Sequence, residues 1–87
     1  MIDNKEKLAE ARRKIDEIDE EIAELFNKRQ QLSSEIAQLK KAENLPTLDL
    51  AREEIVMKRA EEKCGVYGRE LFRLLMDLSK KEQAKYR

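Results

Sequence analysis

An unbroken apolar stripe constrains this chain more than any other feature. Between Asn4 and Glu43 there is no Gly and no Pro, and apolar residues recur at Leu8, Ala11, Ile15, Ile18, Ile22, Leu25, Leu32, Ile36 and Leu39. Gaps of three and four residues alternate along the row, the heptad pattern of a helix that buries one face along its length. A single charge interrupts it: Arg29 stands between Leu25 and Leu32. A cation in an apolar seam is costly unless something pairs with it. The row therefore marks both a packing surface and a candidate binding position.

Composition narrows the classes open to such a chain. Eighty-seven residues make one domain over 1–87, with no room for a second core. With 44% charged and 5% aromatic residues, two Gly and one Pro, the chain reads as all-α. The regular stripe argues against disorder, the competing reading of so much charge. Nineteen basic and nineteen acidic residues cancel, which gives no general reason to bind nucleic acid or a membrane surface. Cys64 is the single cysteine and suits a reducing cytoplasm. A secretory leader and a membrane-spanning run are not expected. The absence of His, together with the lone Cys, removes zinc sites and His-based nucleophilic triads.

Three helices are expected along the chain. Asp3 with Glu6 has the spacing of a capping box, and helix 1 then runs over about 4–43. Asn44 suits the left-handed position past a helix end, and Pro46 forbids continuation. A second helix covers about 48–64, opened by Thr47 or Asp49 and stopped by Gly65. A third covers about 68–86, with Tyr67 and Phe72 placed for a hydrophobic staple across its start. Forty residues of helix 1 span ~60 Å, more than twice either of the others. With no breaker, helix 1 cannot fold back, and two short helices cannot cover its whole stripe. The expected architecture is an all-α, intertwined dimeric helical bundle, with one long and two short helices per chain and long helices packed antiparallel between chains.

Several polar residues fall where apolar ones belong. Lys40 lies eleven residues after Arg29, at nearly the same angle and ~16 Å along the axis. Two cations so placed could clasp a small dianion. Arg12, seventeen residues before Arg29, points about a quarter turn away; it suits a site on a partner chain better than one on its own. Asp49, Arg52 and Glu53 share a helix face with Val56 and Ala60. The last helix carries Phe72, Met76, Ser79, Gln83 and Tyr86 in one row, so two neutral hydrogen-bonding groups sit one turn apart among apolar neighbours. Each has a plainer account when read alone, as a snorkelling cation, a solvated ion-pair face or a self-satisfied polar pair. As a set they describe a helical core lined with cations, two acids and two neutral donors, without an evident nucleophile.

These residues also carry a resemblance. Arg12-Arg13-Lys14-Ile15 with Asp19, Lys28-Arg29, Lys40, the run Asp49-Leu50-Ala51-Arg52-Glu53, and Leu71-Phe72 followed by Ser79 and Gln83 are together similar to the all-helical chorismate mutases. These are small intertwined homodimers with three helices per chain. The likeness covers about Leu8 to Gln83. It implies a unimolecular rearrangement of chorismate to prephenate in aromatic amino acid biosynthesis, with no cofactor. It also implies roles. Arg29 and the partner's Arg12 would grip the carboxylates, and Lys40 and Gln83 would donate to the ether oxygen. Glu53 and Asp49 would hold the ring hydroxyl and its surroundings, and Arg52 and Ser79 would complete the ring side. An isochorismate pyruvate-lyase handles a similar dianion and is the nearest alternative. A non-catalytic coiled-coil module would explain the heptads but not Arg29, Ser79 and Gln83 in core rows.

Overall fold

A computed structural model of the chain describes residues 3–86. Its first helix, α1, spans Asn4–Ala42. Asp3 caps it: the carboxylate accepts the Glu6 backbone N–H at 2.8 Å, one of the donors a helix start leaves orphaned. The other end closes through Asn44, whose φ of 55° turns the chain into the left-handed region. That turn lets Leu45 N–H reach the Lys40 carbonyl at 2.8 Å and Asn44 N–H reach that of Lys41 at 3.3 Å, a Schellman closure, with Pro46 following.

The second helix, α2, spans Leu50–Gln83 and runs into a 3-10 turn at Ala84–Tyr86. Asp49 caps it, accepting the Arg52 N–H at 3.0 Å. At Gly65 the backbone leaves helical values, with φ 66° and ψ −153°. This conformation is open essentially only to glycine, and it reverses the direction of the chain. The two arms of α2 then lie against each other. Glu61 pairs with Arg69 at 3.0 Å, and Glu53 pairs with Lys80 at 2.9 Å although 27 residues separate them. Gly68 permits the closest approach, because a Cβ there would collide with the Ala60 carbonyl oxygen and the Cys64 side chain.

The expectation of three helices per chain in an intertwined bundle is therefore corrected. Among the described residues the chain is all-α with two α-helices and a short 3-10 turn, and intertwining is not a feature of the single chain described. The physical reason lies at Gly65: one residue makes the whole reversal, so the second and third helices need no link and form one interrupted element. The staple fails for the same reason. No helix starts at Gly68, and Tyr67 is 82% exposed rather than packed on Phe72.

What core there is lies at one end of the molecule. Ala37 of α1 and Met57, Ala60 and Met76 of α2 are buried there, together with Ser33 and Gln83. Two hydrogen bonds set the register of α1 against the C-terminal arm of α2: Arg29 Nη1 donates to the Leu75 carbonyl at 3.3 Å and Gln30 Nε2 to that of Leu78 at 3.2 Å. The other half of α1, residues 4–25, is exposed throughout and is not covered by the other described residues.

Candidate active site

The reversal at Gly65 and the packing of α1 bring three helical segments around one cavity of about 450 Å³, within the usual size of small-molecule sites. From α1 come Arg29 and Lys40, eleven residues apart on one face, with Leu32 and Ile36 between them. From the first arm of α2 come Asp49, Arg52 and Glu53, and from the second arm Ser79 and Gln83. Seven of the eight residues singled out by sequence thus line the same space. The eighth, Arg12, does not: it lies ~25 Å further along α1, in the exposed half of that helix. Val56 and Met76 complete an apolar wall suited to the faces of a small ring.

Polar groups in the cavity are held by each other. Lys40 Nζ donates to the Thr47 carbonyl at 2.7 Å and contacts Gln83 Oε1 at 3.4 Å. An ammonium has three protons, so one N–H of Lys40 remains for a ligand. Gln83, 8% exposed, donates from Nε2 to Ser79 Oγ at 3.2 Å and keeps a second N–H free. Burial lowers the Arg29 guanidinium below its ordinary value, and the neighbouring charge of Arg52 lowers it further. Two cations that repel across a cavity are a place where an anion is stabilised. On the far wall the Glu53 hydrogen bond raises Lys80 above its ordinary value and the nearby Asp77 adds to this.

Ser33, Thr47 and Lys80 are site residues that the sequence alone did not mark. Ser33 sits one turn after Arg29, and its hydroxyl is 2.6 Å from that of Ser79. Thr47 contributes only a backbone carbonyl, which no side-chain pattern reports. Lys80 is brought to Glu53 by the reversal, and the only signal for it is charge placement about Gly65: Glu61 and Arg69 lie four residues either side of that glycine.

What the arrangement can do is bind. Arg29, Lys40, Arg52 and Lys80 set four positive charges against the two carboxylates of Asp49 and Glu53, leaving the lining two positive. The family model of chorismate mutase type II matches residues 11–84. The chorismate mutase of Methanocaldococcus jannaschii is 34% identical in a match that covers 93% of this chain and 88% of that protein. No solved structure matches the chain.

Proposed function

The chain belongs to the type II chorismate mutase family, and on that premise we propose that its cavity rearranges chorismate to prephenate by holding the substrate rather than by reacting with it. The enzyme is an isomerase: one C–O bond breaks, one C–C bond forms, and no atom enters or leaves. Two things accelerate such a step. The substrate's enolpyruvyl arm must be held over its ring, and the negative charge growing on the ether oxygen must meet fixed donors.

The observation that carries the assignment of roles is the pairing of Lys40 with Gln83 in a cavity whose lining is two positive. Chorismate brings two carboxylates, which match that charge. Arg29 takes one of them, relieving its repulsion from Arg52. The free N–H groups of Lys40 and Gln83 point to the ether oxygen and strengthen as it becomes negative. Glu53 and Asp49 hold the ring hydroxyl and its surroundings, with Arg52 and Ser79 on the ring side. Leu32, Ile36, Val56 and Met76 give the arm and the ring an apolar wall, which lowers the dielectric around the charged contacts.

Arg12 enters from a second copy of the chain. Its own cavity is out of reach, while Ile15, Ile18, Ile22 and Leu25 beside it are each at least 50% exposed. Such a stripe is covered by its like in a homodimer, and a partner's α1 would carry its Arg12 to the open side of the cavity. A reducing cytoplasm suits the exposed free thiol of Cys64. No helix among the described residues is long and apolar enough to cross a membrane.

The test is direct. Adding the protein to chorismate should abolish the diene absorbance and yield prephenate. An unchanged absorbance would remove the mutase assignment for this chain. Release of salicylate and pyruvate from isochorismate would move it to the lyase.

A further inference from the structure

Ser33 is the least exposed polar residue among the described residues, at 3%. Its hydroxyl lies 3.0 Å from the Arg29 carbonyl and 2.6 Å from Ser79 Oγ. Two protons serve this pair of hydroxyls, and burial requires that each be used. One arrangement that uses both has Ser33 donating to the Arg29 carbonyl and Ser79 donating to Ser33; the reverse relay, Ser33 to Ser79 to Gln83 Oε1, would turn the amide N–H groups onto the Lys40 ammonium. In the first arrangement Ser79 has no proton to offer Gln83 and can only accept from it. On the other side of Gln83, Lys40 has no lone pair and can only donate. The Gln83 amide lies between an acceptor and a donor. It must turn its nitrogen to Ser79, at 3.2 Å, and its oxygen to Lys40, at 3.4 Å. The flipped amide would set its oxygen against an oxygen without a proton and its N–H groups against an ammonium.

We propose that Ser33 is a positioning residue for catalysis: acting through Ser79, it fixes the orientation of the Gln83 amide so that Gln83 and Lys40 each present a free N–H to the same point of the cavity. The proposal rests on the mutase reading above and adds to it a lining residue that the reading gave no contact with substrate. It also gives Ser79 a defined part. With its proton committed to Ser33, Ser79 accepts from Gln83 on one lone pair and has the other free for the substrate's ring hydroxyl. Without the Ser33 hydroxyl, Ser79 regains a proton that can go to Gln83 Oε1. Lys40 alone then holds the amide's orientation, and its N–H groups are less firmly aimed at the ether oxygen.

The experiment is a cycle of the parent, Ser33→Ala, Ser79→Ala and the double variant, each read for kcat and KM on chorismate with folding checked by circular dichroism. Ser33→Ala should lower kcat about tenfold and leave KM within about threefold, because the lost orientation matters most in the transition state. Once Ser79 is alanine there is no relay to break, so Ser33→Ala should then change kcat less than about twofold. If Ser33→Ala does not fold, Ser33→Cys keeps the volume, weakens the hydrogen bonds and carries the same comparison. An inactive parent would overturn the mutase reading and this proposal with it. An active parent with unchanged kcat in the Ser33 variant would overturn the proposal alone. So would an equal loss in both backgrounds, which would mean that Ser33 acts by packing.

Discussion

At the scale of single residues, the cavity is a set of donors with protons to spare. Lys40 is anchored by the Thr47 carbonyl at 2.7 Å, so its ammonium is fixed before substrate arrives. An interaction realised mainly in the transition state should appear in turnover rather than in binding. Lys40→Ala is therefore expected to raise the barrier by roughly 3 kcal/mol or more, with a much smaller change in KM; steady-state kinetics on chorismate read both. Gln83→Glu tests the second donor. A protonated carboxyl can still donate, whereas the ionised form sets a negative charge beside an oxygen that is itself becoming negative. Lowering the pH restores the proton, so the variant should gain turnover as pH falls while the parent stays comparatively flat. A flat profile for the variant would place its side chain away from the ether oxygen. Most of this site was legible in the sequence because a polar residue in an apolar row is a physical misfit: Arg29, Ser79 and Gln83 each stand in such a row and each lines the cavity. Ser33 was not legible. A serine beside Leu32 looks like an ordinary small helix residue until the hydroxyl of Ser79 is seen across from it.

At the scale of elements, the chain turns on two glycines with different tasks. Gly65 has open space around it but a backbone conformation closed to other residues. Gly68 has ordinary backbone and no space, since Ala60 and Cys64 of the opposing arm occupy the position of its Cβ. Gly65→Ala should destabilise by about 1–3 kcal/mol through backbone strain alone. Gly68→Ala should cost about as much by forcing the arms apart. Urea unfolding at matched protein concentration measures both. Because Gly68 sets the spacing of the arms that carry Glu53 and Lys80, its variant should also lose more activity than the Gly65 variant at equal stability. The ends of α1 were readable in advance, since Asp3, Asn44 and Pro46 act through chemistry within a few residues. The reversal was not. A glycine that stops a helix and a glycine that folds one back in a single residue look alike in sequence, and the difference is made by contacts such as Glu53 with Lys80, far away along the chain. The expected link and its staple followed from that ambiguity.

At the scale of the molecule, the chain is more extended than a compact domain of its length. Its radius of gyration is 17.6 Å and it is 64 Å long, whereas a compact domain of this length has a radius near 12 Å. The excess is the first half of α1, whose apolar row points into solvent. In the proposed homodimer a second copy would cover it at no cost in new sequence and would bring the partner's Arg12 to a cavity that contains Arg29. This makes a prediction that neither chain can meet alone. Arg12→Ala and Arg29→Ala should each be nearly inactive, since every site in either homodimer lacks one guanidinium. When the two proteins are mixed and exchange chains, each heterodimer has one site with both arginines and one with neither. Random exchange of equal amounts makes half the dimers mixed, so about one quarter of all sites become complete. Activity should rise toward about a quarter of the parent's, on the timescale of subunit exchange and with dependence on both proteins. The mixed dimers are countable by native mass spectrometry. If they form and activity stays at the level of the separate variants, Arg12 does not serve the partner's cavity, and the apolar half of α1 covers something other than a shared active site.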